Sequence, residues 1–106
     1  MSIKKNFLHN YYNNLQKLLS GNLIDTKGLI NVQEILKKVK RKNKKVLIFG
    51  NGGSAAIASH FSVDLTKNTK IRCVNFNESD LITCFANDYG YKEWVRKAVE
   101  LYGDRG

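Results

Sequence analysis

Apolar residues recur along the chain in two different periods, which predict helices first and strands later. Between Phe7 and Leu19 the apolar positions are spaced by three, four and seven residues, as on one face of an amphipathic helix. The segment from Leu29 to Val39 predicts a second helix, and Trp94 to Tyr102 predicts another near the end. Two short apolar runs, residues 45–50 and 71–76, predict strands. The pattern therefore indicates an α/β fold in which helices precede a single βαβ unit with parallel strands.

The junction after the first predicted strand is the most informative motif. The run from Val46 enters a Gly-Asn-Gly-Gly turn and then a helix for which Ser54 is the predicted N-cap. Such a junction presents unpaired N–H groups and the positive end of the helix dipole, and therefore favours an anion such as a phosphate. Gly50, Gly52 and Gly53 allow positive φ and close backbone approach at this point.

Two better-known phosphate motifs do not fit this turn. It lacks the third glycine of the dinucleotide-binding fingerprint, and no Gly-Lys-Ser/Thr sequence closes it as in a P-loop. The alternative to phosphate binding is a turn that has only a structural role.

His60 and Asp64 stand four residues apart on the helix that follows the turn. They share one helical face and could reach one metal ion or one substrate. An ordinary ion pair on a half-exposed face is the alternative. The position downstream of a phosphate-type turn, at the carboxyl end of a strand, favours a functional interpretation.

These motifs resemble the SIS (sugar isomerase) domains, and among them the phosphoheptose isomerases. The matching stretches are residues 46–56, 59–65, 77–83, 86–91 and 93–100. They occur in the family's order and at family-like spacing, so the resemblance covers essentially the whole chain. It implies a helical segment at residues 1–44 and the first βαβ part, residues 45–106, of a doubly wound parallel sheet with three αβα layers, similar to flavodoxin.

The resemblance also implies where a sugar phosphate binds. The turn would contact the substrate, Ser54 would donate to the phosphate, and the family's Asn-Asp pair would lie against the sugar. These substrate-binding positions are Asn51, Gly52, Gly53, Ser54, Asp64, Asn87 and Asp88.

By the same resemblance His60 is a zinc ligand, and Asp64 is both a ligand and the catalytic base. The family usually has a glutamate where this chain has Asp64. The side chain is one methylene shorter, which puts metal occupancy and turnover in doubt.

The family continues beyond the equivalent of Gly106. That continuation contains a further strand, a Ser/Thr-rich phosphate loop, and a helix with the glutamine and histidine that complete the metal site. The resemblance therefore implies an apparently truncated domain with two of four zinc ligands and one side of the phosphate pocket.

The excess of basic residues makes nucleic acid a further class of partner to consider. Lys and Arg number 18 against nine acidic residues, giving a net charge of +9, as nucleic-acid-binding proteins often have. The densest run, Lys37 to Lys45, is explained better as the C-terminal end of a helix, where cations are favoured. We expect no nucleic-acid partner.

Cysteine spacing and hydropathy complete the picture. Cys73 and Cys84 lack metal-type spacing and are interpreted as buried thiols. No signal peptide or membrane span is visible, so we expect a cytoplasmic protein without a membrane partner. The stretch from Ser20 to Gly28 is the predicted flexible connector.

Three functions follow from these observations. The first, which the resemblance implies, is a phosphoheptose isomerase that interconverts sedoheptulose 7-phosphate and D-glycero-D-manno-heptose 7-phosphate. The second is a non-catalytic SIS protein that binds a sugar phosphate or a partner, as a replication-initiation regulator of this family does. A basic nucleic-acid-binding domain is the third.

The sequence also predicts a homo-oligomer, because a βαβ unit with one bare face needs further cover. The assembly would be a tetramer by resemblance, or a dimer, formed through the apolar stripe Phe7, Tyr11, Leu15 and Leu18.

Overall fold

The chain alternates helices and strands in the predicted order. The computed structural model describes residues 3–105, apart from the side chains of Ile3 and Asn22. The helices are α1 (Ile3–Leu19), α2 (Thr26–Arg41), α3 (Gly53–Thr69), α4 (Ser79–Tyr89) and α5 (Trp94–Tyr102), and the strands are β1 (Lys45–Ile48) and β2 (Arg72–Asn75). Short 3₁₀ turns occur at Gly21–Leu23 and Tyr91–Glu93. The α/β class is confirmed.

The structure divides into two compact units, residues 1–34 and residues 35–106. The predicted division between residues 44 and 45, which separates the N-terminal helical segment from the first βαβ part of a single domain, stays a prediction.

In the first unit, α1 exposes its apolar stripe. Phe7, Tyr11, Leu15 and Leu18 are 67%, 57%, 40% and 65% exposed. The segment predicted as a flexible connector is largely ordered by local hydrogen bonds. The Ser20 hydroxyl donates to the Lys17 carbonyl at 2.6 Å, and Asp25 Oδ1 accepts from the Gly28 amide at 2.8 Å, as an N-cap of α2 does.

The second unit contains a parallel pair of strands. Lys45 lies opposite Arg72 and Ile48 opposite Asn75. Both strands are shorter than predicted. The first ends at Ile48, where the chain leaves the ladder to form the turn into α3, and the second covers only residues 72–75.

The expectation of a bare sheet face is wrong. On one face Leu47 and Phe49 pack against the buried core of Phe76, Trp94 and Ala98. Side chains alternate between the faces of a strand, so Asn75, which bonds to Ser62 of α3, belongs to the opposite face. Helices therefore cover both faces, although every β1 residue stays half-buried.

Aromatic rings form the centre of this core. The rings of Phe49 and Phe76 stack at 4.7 Å, and Trp94 meets Phe49 edge-on at 5.7 Å. Tyr102 meets Phe76 edge-on at 5.1 Å, which joins the end of α5 to the end of β2. Both strands thus lead into one aromatic cluster beside the turn.

The basic run at the end of α2 has structural partners. Lys40 Nζ donates to the Thr69 carbonyl at the end of α3 at 2.7 Å. Lys45 forms an ion pair with Asp104 at 2.9 Å, and its hydrogen bond lowers the pKa of that carboxyl. These contacts support the structural explanation of the charge. Within residues 3–105, no helix is long and apolar enough to cross a membrane.

Candidate functional site

The turn between β1 and α3 begins its helix differently from the prediction. The N-cap is Gly52, with φ 57° and ψ −126°, and α3 starts at Gly53. The prediction that Ser54 is the N-cap is therefore wrong. Gly52 reverses the chain without a side-chain cap, because glycine adopts a positive φ that other residues adopt only with strain. Ser54 lies in the first turn of the helix.

The amides of this turn differ in whether they have a backbone acceptor. The Ser54 amide donates to the Asn51 carbonyl at 3.1 Å, and the Ala55 amide donates to the Gly52 carbonyl at 3.0 Å. Among the described residues the Gly52 and Gly53 amides have no backbone acceptor. The Gly52 and Gly53 amides are therefore candidate anion-binding groups at the positive end of a 17-residue helix.

The three glycines of the turn have three different roles. A Cβ on Gly50 would lie 2.3 Å from the Ser54 carbonyl oxygen, so this glycine is needed for close approach. Gly52 is needed for its positive φ. A Cβ on Gly53 would meet no atom within 4 Å, so nothing in the fold requires glycine there.

A groove lies beside the turn and contains residues that the sequence did not predict. It has a volume of about 460 Å³ and is lined by Phe49, Gly50, Asn51, Tyr91, Lys92, Trp94 and Val95. Lys92 adds a cation and Tyr91 a half-exposed ring beside Asn51. Neither residue lies near the turn in sequence, and the only sequence signal was their position three and four residues after Asp88 of the Asn-Asp motif.

His60 and Asp64 are brought together as predicted. His60 Nε2 lies 3.2 Å from Asp64 Oδ2, and the two side chains are 82% and 46% exposed. Two ligands of one tetrahedral zinc ion lie about 3.3 Å apart, given bond lengths near 2.0–2.1 Å, so the donor pair fits zinc. Residues 3–105 contain no group of three or more His, Cys, Asp or Glu side chains placed to hold a metal. The pair is half a metal site, and the same distance also suits an ordinary ion pair.

Asn87 and Asp88 form a separate exposed pair at the end of α4. Asn87 Nδ2 donates to Asp88 Oδ1 at 3.1 Å, and the Cys84 thiol donates to Asp88 Oδ2 at 3.6 Å. Asp88 raises the pKa of the Cys84 thiol through this hydrogen bond. Cys84 is exposed and Cys73 half-buried, so the interpretation of both as buried thiols is wrong. Neither Asn87 nor Asp88 lines the groove beside the turn.

A polar network that the sequence did not predict joins α3 to the segment after β2. Asn77 Nδ2 donates to Ser59 Oγ at 3.2 Å, and Asn75 Nδ2 donates to Ser62 Oγ at 3.2 Å. The Ser62 hydroxyl donates to the Ser59 carbonyl at 2.8 Å and is buried. Because Ser59 directly precedes His60, this network fixes the part of α3 that carries the metal half-site.

Comparison with known proteins finds one group of relatives. No family model matches the chain. Phosphoheptose isomerase from Fusobacterium nucleatum is 39% identical over 80 residues, covering 71% of this chain and 41% of that protein. The enzyme of the same name from Helicobacter pylori is 35% identical over 92 residues, covering 74% and 48%. The one from Buchnera aphidicola is 29% identical over 110 residues, covering 96% and 57%.

A solved structure shares the fold. Phosphoheptose isomerase GmhA from Neisseria gonorrhoeae matches with a TM-score of 0.79 and 23% identity, covering 96% of this chain and 55% of that one. The resemblance to SIS-type phosphoheptose isomerases and the α/β fold are thus confirmed. The chain spans about half the length of the relatives it matches.

Proposed function

We propose that this relative of the phosphoheptose isomerases binds a seven-carbon sugar phosphate at the turn from Asn51 to Ser54. It would form part of an isomerase that interconverts sedoheptulose 7-phosphate and D-glycero-D-manno-heptose 7-phosphate. One observation carries the proposal: the Gly52 and Gly53 amides are free of backbone acceptors at the N-terminus of α3, in a chain similar to enzymes of that name. Asn51 and the Ser54 hydroxyl would add donors to the same phosphate or sugar.

The reaction moves a proton between neighbouring carbons through an enediol, so it needs a base and an electrophile. Asp64 is the candidate base, and its carboxylate is oriented by His60 at 3.2 Å. Asn87 and Asp88 would contact the sugar hydroxyls. Asp64 has a shorter reach than the family's usual glutamate, so we expect slower turnover than with glutamate at this position.

His60 and Asp64 would also hold the zinc ion, one per site, with further ligands from outside these 106 residues. A zinc ion held by these residues would supply the electrophile that polarises the substrate carbonyl. His60 would then act only as a ligand, and Asp64 would combine the roles of ligand and base.

A non-catalytic phosphosugar-binding or regulatory protein is the second candidate. It is favoured by Asp64, because this carboxylate has a shorter reach than the glutamate that is usual in the family. Such a protein would bind the phosphosugar at the turn without converting it. Binding measured by calorimetry, together with conversion measured by NMR of the same mixture, separates the two candidates.

The turn gives the most direct test. Gly53→Val is expected to abolish sugar-phosphate binding, because its side chain would project where the ligand approaches the Gly52 and Gly53 amides. The fold should persist, since a Cβ there meets nothing within 4 Å. Calorimetric titration with sedoheptulose 7-phosphate, after circular dichroism has established folding, measures the effect.

Gly21→Val is the matched control for this experiment. Its Cβ also meets nothing within 4 Å, and it lies outside the proposed site. Unchanged affinity in folded Gly53→Val would refute the proposed phosphate position.

Metal binding gives a second test. The 106-residue chain provides two ligands and should bind zinc weakly, whereas a chain extended by the remaining half of the Helicobacter pylori relative should bind it tightly. Metal analysis after dialysis measures the difference. Equal zinc content in the two proteins would contradict the proposed division of the ligand set.

Assembly and location complete the proposal. We infer a homo-oligomer, a dimer or a tetramer, that pairs the exposed stripe of α1. A cytoplasmic location stays a prediction.

A further inference from the structure

The peptide unit between Asn51 and Gly52 is hydrogen-bonded on one side only. Its carbonyl accepts from the Ser54 amide at 3.1 Å, whereas its N–H, on Gly52, has no backbone acceptor among the described residues. In the same part of the chain, no hydrogen bond holds the Asn51 side-chain amide, and Asn51 is exposed. An unbonded amide nitrogen therefore directly follows an unbonded carboxamide.

These two groups can react with each other. After solvent hydroxide has removed its proton, the Gly52 nitrogen can attack Asn51 Cγ and close a succinimide ring. The new bond joins this nitrogen to Cγ, and the bond between Cγ and Nδ2 breaks. The carboxamide nitrogen takes a proton from water and leaves as ammonia, which regenerates the hydroxide. Water then opens the ring at either carbonyl and gives aspartate or isoaspartate.

Three features of the turn favour this reaction. Gly52 has no Cβ, so no side chain on the attacking residue hinders its approach to Asn51. The peptide unit lies at the positive end of the α3 dipole, and the hydrogen bond to its carbonyl polarises it, so both effects favour loss of the Gly52 proton. Lys92 lines the same groove as Asn51 and adds a positive charge there, which favours the oxyanion that forms during the attack.

We propose that Asn51 is a self-modification site, at which attack by the Gly52 amide converts the carboxamide into a carboxylate. The product carries a negative charge in the turn, next to the N–H groups proposed to bind phosphate. Because like charges repel, the modified turn loses its affinity for a phosphosugar. A phosphate bound to the Gly52 N–H holds the proton in place and protects Asn51. The empty turn is therefore converted with time, whereas the occupied turn is preserved.

Asn43 provides an internal comparison. It is exposed and lies in a turn, as Asn51 does, but the next amide, on Lys44, donates to the Val39 carbonyl at 2.9 Å. A nitrogen whose proton is held in this way is a poorer nucleophile, and the Lys44 side chain hinders its approach. Asn51 is also the only asparagine in the sequence that is followed by glycine. We therefore expect conversion at Asn51 and not at Asn43.

The modification itself does not depend on the proposed function. Its effect on binding, and its suppression by a ligand, rest on the phosphate position proposed at Gly52 and Gly53. The experiment therefore measures conversion without a ligand first and with a ligand second.

The 106-residue chain is incubated at mildly alkaline pH in a buffer without phosphate, and its proteolytic peptides are followed by mass spectrometry. We expect the peptide containing Asn51 to gain about 1 Da, because an oxygen atom replaces an N–H group, and to separate into aspartate and isoaspartate forms. Ammonia should appear in equal amount. The peptide containing Asn43 should keep its mass over the same time. Sedoheptulose 7-phosphate in the incubation should slow the conversion several-fold.

Three variants, each tested after circular dichroism has established folding, separate the causes. Asn51→Gln keeps a carboxamide but would have to close a larger ring, so it should abolish the conversion. Lys44→Gly is the matched control, because it places a glycine after Asn43 while the amide still donates to Val39, and Asn43 should stay unmodified in it. Asn51→Asp reproduces one product and should lose phosphosugar binding in calorimetry.

An Asn51 peptide that keeps its mass would overturn the proposal. Conversion of Asn43 in Lys44→Gly as fast as that of Asn51 would refute the role of the unbonded amide. Wild-type phosphosugar affinity in Asn51→Asp would refute the loss of binding. Conversion of Asn51 that sedoheptulose 7-phosphate does not slow would confirm the modification and contradict the proposed phosphate position.

Discussion

Replacing Tyr11 and Leu15 together by aspartate is expected to split the wild-type assembly into single chains. Fully burying such a side chain contributes roughly 1.5–3 kcal/mol. Tyr11 is 57% exposed and Leu15 is 40% exposed, so about half of that gain remains to be made on association. Because a two-fold interface uses each residue twice, we expect a loss of about 3–6 kcal/mol per pair, or roughly 10²–10⁴-fold in the dissociation constant.

Light scattering at matched concentrations, with chelator present, measures this effect. Asn6→Asp with Asn13→Asp is the matched control, because it adds the same charge to the opposite side of α1 at exposed positions. A wild-type chain that is monomeric and well folded would show that the α1 stripe forms no interface. A variant with aspartate at Tyr11 and Leu15 that keeps the wild-type mass would also show that the α1 stripe forms no interface.

Gly50→Ala is expected to destabilise the second unit strongly. The new methyl group would lie 2.3 Å from the Ser54 carbonyl oxygen and 2.6 Å from the Ala55 nitrogen. These are backbone atoms at the start of α3, so relief requires the strand and the helix to separate. Overpacking of this kind typically costs about 1–3 kcal/mol, and a backbone contact belongs at the upper end of that range.

Gly53→Ala, three residues later, is the matched control. It lies within α3 and its Cβ meets nothing, so we expect it to stabilise the protein by about 0.5–1 kcal/mol. Urea unfolding followed by circular dichroism measures both variants. Equal midpoints for the two alanine variants would mean that the close approach of Gly50 to α3 does not constrain the fold.

The periodic elements could be predicted from the sequence, because periods of helix and strand differ. The helix from Trp94 to Tyr102 and the parallel pairing of the two strands were predicted and are confirmed. The predicted ends of the helices and strands were less accurate. Ser54 has the side chain of a good N-cap, but the conformation of Gly52 starts the helix two residues earlier than predicted. A backbone conformation of this kind has no signature in hydropathy.

Contacts between distant segments could not be predicted from a single chain. Lys92 and Tyr91 line the groove beside Asn51 only because α4 and α5 pack on the same face of the sheet. The bond between Asn77 and Ser59 joins residues 18 positions apart and follows no period. His60 and Asp64 were predictable as a pair because one turn of a single helix joins them.

The position of Trp94 gives this protein a built-in optical probe. It is the only tryptophan in the chain, it is 7% exposed, and it lines the groove that contains Gly50 and Asn51. Its emission therefore depends both on the integrity of the aromatic core and on whatever occupies the groove beside the turn. Ligand binding and unfolding can be followed on the unmodified protein by intrinsic fluorescence, with no second indole to obscure the change.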